Sequence, residues 1–115
     1  MGIFDLFRSK EKPDLDRSVL VQLRRSGSDL LKPHNIDFFL YFPTQSVADK
    51  AGTSIRSSGF EVEVKKAVQG ETWLCFATKT MIPELSDLQR IRHDFMTLAA
   101  SVSGEYDGWG TQVVK

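Results

Sequence analysis

The sequence predicts an α+β fold in which a four-stranded antiparallel sheet carries two helices on one face. Short segments alternate apolar and polar residues, as half-buried strands do, and two longer segments repeat apolar residues at three- and four-residue steps, as amphipathic helices do. These segments follow one another in the order strand-helix-strand-strand-helix-strand. Right-handed crossovers then produce the ferredoxin-like βαββαβ sandwich, preceded here by an extra N-terminal helix.

Bulk composition limits the class of protein. The chain has 115 residues, enough for one domain with a modest core. Its 15 basic and 15 acidic side chains balance, which argues against a nucleic-acid binder that depends on bulk positive charge. Cys75 is the single cysteine, and no apolar run reaches the ~18 residues of a membrane span. Residues 1–7 are too short and too acidic for a signal peptide, so we expect a cytoplasmic protein.

Residues 1–13 and residues 14–115 differ in character. The first segment is a small apolar cluster followed by a charged linker, and the second is predicted to form a single domain. Asp14 is a suitable N-cap for a helix that begins at the domain boundary. The apolar side of this helix consists of Leu15, Val19, Leu20 and Leu23. The small residues of 26–28 end it.

Residues 34–59 predict the first strand and helix of the sheet unit. Residues 34–42 alternate, so one face of this strand is thoroughly apolar. That face consists of Ile36, Phe38, Leu40 and Phe42, and the opposite face carries Asp37, Phe39 and Tyr41. After Pro43, either Thr44 or Ser46 can cap a helix that ends near Gly59. The apolar stripe of this helix is formed by Val47, Ala48, Ala51 and Ile55.

The rest of the domain is predicted to contain three strands and one helix. Residues 60–65 alternate as a half-buried strand, and residues 71–80 form the returning strand, which is apolar on both faces. Pro83 suits the first turn of a long helix that Gly104 ends. The apolar stripe of that helix consists of Leu85, Leu88, Ile91, Phe95, Leu98, Ala99 and Val102. Residues 105–113 are predicted to be the last strand.

The open face of the predicted sheet is the first candidate for a binding surface. If the more apolar side of the first strand faces the helices, Phe39 and Tyr41 lie on the open face beside Glu61 and Glu63. Exposed aromatic area of this kind often marks an interface. The alternative is that the N-terminal helix packs over this face and hides both aromatic side chains.

Aromatic residues on such a face also suggest an RNA-binding module, which would stack bases on them. The segment 71–79 lacks the basic-Gly-aromatic signature of RNA-recognition motifs. Glu61 and Glu63 would repel phosphates. RNA binding is therefore the second hypothesis, after a protein partner.

Residues suited to catalysis or metal binding are sparse. His34, Cys75 and His93 are widely separated and lack neighbouring ligand residues. Cys75 lies in the middle of a predicted strand, where a buried and inert thiol is expected. Glu61 and Glu63 fit a solvated strand face better than an acid-base pair. The sequence predicts a protein that is not an enzyme and needs no cofactor.

The predicted last strand combines aromatic, acidic and glycine residues. Strict alternation would place Asp107 and Trp109 on one face and Tyr106 on the other. In a structural interpretation Trp109 fills core and Asp107 accepts backbone or indole hydrogen bonds. In a functional interpretation Trp109, flanked by Gly108 and Gly110, is an interface anchor that a partner backbone can approach closely.

The run from Met96 through Thr111 resembles the C-terminal signature of the RNase E inhibitor B family, also called the RraB-like family. The resemblance covers roughly residues 14–113 and implies the same ferredoxin-like fold. It also implies a non-catalytic inhibitor that binds the C-terminal scaffold region of RNase E and modulates RNA decay. Enterobacterial members are acidic and carry an acidic tail, whereas this chain is neutral and stops at Val113-Val114-Lys115.

Together these observations define a candidate protein interface. Its members are Phe39, Tyr41, Glu61, Glu63, Tyr106, Asp107 and Trp109. The expected partner is the RNase E scaffold, with direct nucleic-acid binding less favoured. An exposed edge strand leaves a homodimer by sheet extension open.

Overall fold

The computed structural model describes residues 15–115, which form three helices and four strands. The helices are α1 (Leu15–Arg25), α2 (Gln45–Ser57) and α3 (Leu85–Ser101). The strands are β1 (His34–Phe42), β2 (Glu61–Lys66), β3 (Trp73–Met81) and β4 (Glu105–Gly110). The predicted N-terminal cluster, the linker and the Asp14 cap lie outside the described residues.

The four strands form one antiparallel sheet in the order β2-β3-β1-β4. In the central pair, Phe38 lies opposite Ala77 and Phe39 lies opposite Phe76. Each helical crossover therefore connects two parallel strands that have a third strand between them. The predicted α+β class and the four-stranded antiparallel sheet are confirmed, and β2 and β4 are the edges.

The hydrophobic core lies between one face of the sheet and helices α2 and α3. The apolar face of β1 is fully buried, as its alternation predicts. Phe38 stands at the centre, with its ring centroid 5.5 Å from that of Phe60 and 5.6 Å from that of Phe95 in edge-to-face geometry. Cys75 and Ala77 supply the core residues of β3, which settles the inward face that periodicity left open.

Helix α1 lies beside α3 and not over the open face of the sheet. Leu23 is buried and Leu20 packs against the core, so the apolar side of α1 is used at this flank. Phe39 and Tyr41 remain half-buried on the opposite side of the sheet. The alternative in which the N-terminal helix covers these two aromatic residues is therefore wrong.

The sequence predicts the N-terminus of α2 correctly, but it does not predict the conformation at the C-terminus of α3. Thr44 is the cap of α2, because its hydroxyl accepts a hydrogen bond from the Val47 amide at 3.2 Å. After α3, the residue in the left-handed conformation is Ser103 (φ 61°) and not Gly104. Gly104 is needed for space instead, since a Cβ there would lie 2.5 Å from Cδ1 of Phe42.

Candidate functional site

An aromatic stripe crosses the centre of the open face. The rings of Phe39 on β1 and Phe76 on β3 pack edge to face, with centroids 5.4 Å apart. Tyr41 and Leu74 form the next cross-strand pair on the same side. All four side chains are half-buried, so they present apolar area on a face that no helix of residues 15–115 covers.

Acidic residues surround this stripe in rows that run across the sheet. Asp37 and Glu61 both lie opposite Thr78, on its two sides, and Glu63 lies opposite Phe76. At the other edge, Glu105 lies opposite Tyr41. The register therefore brings residues from β1, β2 and β4 into one border of carboxylates.

Lysine is scarce on the same face. Lys65 lies opposite Leu74, with its ammonium 3.8 Å from Glu63 and 5.5 Å from the centroid of the Phe76 ring. Asp107, which is exposed, lies on the side of Phe39. The face thus carries five acidic residues and one lysine, although the whole chain has 15 of each charge. Although the chain as a whole is neutral, its open sheet face is acidic and has aromatic residues at its centre.

A β-bulge in β4 changes which side chains share a face. Phe38 lies opposite Trp109, and Leu40 lies opposite Tyr106. Between these two pairs β1 has one residue and β4 has two, so β4 contains one extra residue. Gly108 has a φ of 94° and takes up the irregularity. Tyr106 and Trp109 therefore both face the helices, and the prediction that Asp107 and Trp109 share a face is wrong. Strict alternation fails because the extra residue reverses the parity of the strand.

Trp109 is tied to α1 through a buried carboxylate. Its indole Nε1 donates to Oδ1 of Asp16 at 2.9 Å, and Arg92 Nε donates to Oδ2 of the same residue at 2.9 Å. Asp16 is only 3% exposed. The structural interpretation of Trp109 is thus correct in kind, with Asp16 as the acceptor in place of Asp107. An acidic residue in the first turn of a helix suggests only a dipole contact, so no sequence pattern indicated that Asp16 would accept from Trp109.

Tyr106 lies next to this cluster. Its ring packs edge to face on Phe95, with centroids 5.7 Å apart. Its buried hydroxyl has no hydrogen-bond partner in the part of the chain that the structure describes. Burial raises the pKa of this phenol well above its usual range, and the nearby charge of Asp16 adds to the effect. Binding roles for Tyr106, Asp107 and Trp109 stay predictions.

His34 and Cys75 both have structural surroundings. His34 Nδ1 donates to the Lys32 carbonyl at 2.8 Å, so Nε2 accepts from the Ser28 hydroxyl at 2.6 Å. Ser28 in turn accepts from the Val114 amide at 3.0 Å, which ties the connector after α1 to the C-terminal segment. Burial is the main reason that the pKa of the Cys75 thiol rises to about 11. In residues 15–115 no group of three His, Cys, Asp or Glu side chains could hold a metal ion.

Comparison with known proteins decides the family. A family model described as regulator of ribonuclease activity B, RraB, matches residues 13–111. The chain belongs to the RraB family. It is 28% identical over 108 residues to the regulator of ribonuclease activity B of Pseudoalteromonas atlantica, an alignment that covers 89% of this chain and 91% of that protein. The resemblance predicted from Met96 through Thr111 is confirmed, and RraB membership supports a regulatory role.

The region that matches the RraB family includes both the acidic open face and the cluster around Asp16. The boundary between residues 1–13 and 14–115 stays a prediction. No helix within residues 15–115 is long and apolar enough to cross a membrane.

Proposed function

We propose that this RraB-family chain is a non-catalytic, cytoplasmic regulator of the endoribonuclease RNase E. It binds the C-terminal scaffold region of the ribonuclease through the open sheet face and thereby modulates RNA decay. The observation that carries the proposal is the border of acidic residues around the stripe formed by Phe39, Tyr41, Leu74 and Phe76.

This surface suits a basic peptide segment. Half-buried aromatic rings supply the apolar area that anchors most interfaces. Arginine side chains stack on aromatic rings and pair with carboxylates in the same contact, so a surface that offers both groups favours arginine over other residues. Charge complementarity also raises the association rate and suppresses acidic partners. An arginine-rich stretch of the scaffold region is accordingly the segment that we expect to bind.

The same border disfavours the second hypothesis, an RNA-binding module. Single-stranded RNA sites combine stacking aromatic residues with a groove of positive charge that follows the phosphates. Here Glu63 lies beside Phe76, and Lys65 is the single basic residue among the open-face positions of the sheet. RNA binding is retained as an outcome of the test.

A regulator without catalysis is consistent with the reactive groups that the described residues contain. The thiol of Cys75 is buried, and the hydroxyl of Ser28 is buried and bonded to His34 and to Val114. The ferredoxin-like class is part of the same proposal. It rests on the order β2-β3-β1-β4, in which each crossover connects parallel strands on either side of a third.

Titration calorimetry with the purified RNase E scaffold region tests the proposal. We expect a dissociation constant on the order of 1 µM, which weakens as salt screens the carboxylates. Phe39→Ala and the double variant Asp37→Lys/Glu61→Lys should each weaken binding about tenfold or more. Leu31→Ala and Glu71→Lys are matched controls, because both residues are highly exposed and lie off the open face.

Structured RNA alone is the second titrant. Binding to RNA without binding to the scaffold region would replace the proposal by the RNA-binding hypothesis. If the control variants weaken scaffold binding as much as the open-face variants do, the scaffold region remains the proposed partner, but the open face is rejected as the binding surface.

A further inference from the structure

The two edges of the sheet differ in their ability to accept another strand. Edge β4 is interrupted by the bulge at Gly108, which is a common device against further pairing. Edge β2 (Glu61–Lys66) keeps one uninterrupted register with β3 over all six residues. Its outer side meets no other strand within residues 15–115. A regular and unpaired edge is a template for a fifth strand, supplied by another chain.

The outward hydrogen-bonding groups of β2 can be identified from one contact. Arg56 Nη2 donates to the Val62 carbonyl at 3.0 Å, which indicates that this carbonyl points away from β3. In an antiparallel strand, alternate residues direct both backbone groups to the same side. Val62, Val64 and Lys66 therefore offer their amides and carbonyls outward.

The sequence of β2 is complementary to itself in the antiparallel direction. When a second copy is placed with Val64 opposite Val64, Glu63 of each copy lies opposite Lys65 of the other, and Val62 lies opposite Lys66. Directly opposite residues share a face of the sheet, so the two Glu63–Lys65 pairs lie on the open face. The outward groups of Val62, Val64 and Lys66 meet one another in this register.

Neighbouring registers place like charges together. A shift that centres the pair on Glu63 puts two Glu63 carboxylates opposite each other, and a shift that centres it on Lys65 puts two ammonium groups there. Like charges directly opposite are destabilising. Charged side chains on an edge usually prevent pairing. Here the register centred on Val64 is the one of these three that places no like charges opposite each other, whereas the register centred on Glu63 combines its pair of carboxylates with two Glu61–Lys65 pairs.

The helical layer leaves room for such a pair. A Cβ on Gly52 of α2 would lie 3.2 Å from Val62 and 3.6 Å from Cys75, so α2 runs closely over the boundary of β2 and β3. With strands about 4.8 Å apart, the two copies of α2 would lie about 10 Å from each other, the spacing of packed helices.

We propose that two copies of this chain associate through β2 in the register centred on Val64, forming one continuous eight-stranded sheet. The main-chain groups of Val62, Val64 and Lys66 pair across the junction, and the Lys66 amide of one copy replaces Arg56 at the Val62 carbonyl of the other. The dimer joins two acidic open faces side by side. Because a six-residue edge buries little area, the association is weak.

Sedimentation equilibrium of the full chain, at protein concentrations up to about 1 mM, tests the proposal. The wild type should show a monomer-dimer equilibrium. Glu63→Lys and Lys65→Glu should each raise the dimer dissociation constant about tenfold or more, because each variant places like charges opposite each other twice. The double variant Glu63→Lys/Lys65→Glu should restore the wild-type constant.

An equimolar mixture of the two single variants distinguishes an effect on contacts between two copies from an effect on contacts within one chain. In that mixture, both lysines of one variant face both glutamates of the other, so dimers should return although the contact between residues 63 and 65 within each chain stays broken. Glu71→Lys, a charge reversal in the hairpin outside β2, should leave dimerisation unchanged. Circular dichroism of each variant checks the fold.

Three results would overturn the proposal. They are a wild type that stays monomeric at about 1 mM, single variants that dimerise as the wild type does, and a mixture of single variants that stays monomeric.

Discussion

Gly104 shows how closely single residues are constrained at the junction of α3 and β4. The ring of Phe42 and the carbonyl oxygen of Tyr41 lie 2.5 Å and 2.8 Å from the position that a Cβ of Gly104 would take. Backbone and a fully buried ring cannot move aside without disturbing the core. A Cβ on Gly110, the last residue of β4 and six residues further along, would meet nothing within 4 Å. Two glycines of the same motif therefore have different reasons to be present.

We expect Gly104→Ala to lower the free energy of unfolding by about 3 kcal/mol, because the methyl group would overlap the ring of Phe42 and the carbonyl oxygen of Tyr41. Gly110→Ala is the matched control, and it should change the free energy of unfolding by less than about 0.5 kcal/mol. Urea unfolding followed by circular dichroism measures both. Equal stability of Gly104→Ala and the wild type would show that β4 can move away from Phe42.

At the scale of elements, α1 depends on one buried carboxylate. Asp16 joins α1 to α3 through Arg92 and to β4 through Trp109, and these three residues are far apart in the sequence. Apolar contacts of Leu20 and Leu23 add to the attachment. Helix α1 is short, so it gains most of its stability from this docking and little from its own propensity.

Asp16→Ala should detach α1, because it leaves the Arg92 guanidinium and the indole of Trp109 without their shared acceptor. The expected loss in the free energy of unfolding is about 3 kcal/mol. Hydrogen exchange should show faster exchange of the α1 amides than of the sheet amides. Asp94→Ala, which removes an exposed carboxylate from α3, is the control. Unchanged protection of α1 in Asp16→Ala would mean that its apolar contacts suffice.

At the scale of the whole molecule, two buried acids link stability to alkaline pH. Burial raises the pKa of Cys75 from 9.0 to about 11, against a smaller opposing effect of Arg56. Burial also raises the pKa of Tyr106 above its ordinary value of 10.0. Both groups are therefore held neutral in the folded state. Their contribution is fully present below about pH 9, where neither ionises in either state.

The free energy of unfolding should therefore fall as the pH rises from about 9 to about 11, since the unfolded chain loses these protons first. Cys75→Ala should reduce the slope of the free energy of unfolding against pH over this range, even if the variant is less stable than the wild type at neutral pH. Tyr106→Phe should reduce the slope above about pH 10 at no cost at neutral pH, because the hydroxyl it removes has no partner among residues 15–115. Urea unfolding at several pH values measures the slopes, and identical slopes for all three proteins would contradict this assignment.

Local pattern accounts for most of the elements. The predicted first strand, residues 34–42, agrees with β1 residue for residue, because the alternation of large apolar side chains there fits a half-buried strand and no other element. The returning strand begins two residues later than predicted, at Trp73, and the last strand ends at Gly110 instead of Val113. Gly110 is the last residue of β4 that has a partner in β1, namely Asp37. Pairing, and not composition, ends this strand.

The candidate site was predicted in part. Phe39, Tyr41, Glu61 and Glu63 do share the open face, because alternation within each strand decides it. Asp37 was predicted on the same face of β1 as Phe39 and Tyr41, but it was not counted among the site residues. Glu105 was missed, because its place beside Tyr41 depends on which strands are neighbours, and alternation within one strand carries no information about its neighbours.

By itself the sequence determined the order of helices and strands, the apolar faces of the helices and of β1 and β2, and the family to which the chain belongs. Only the tertiary structure decided where α1 docks, which face Trp109 takes after the bulge, and how the acids of a neutral chain collect on one surface. The physical reason is the same in each case. Periodicity is a property of neighbouring residues, whereas docking, bulges and charge segregation arise from strand order and register between segments that are far apart in the chain.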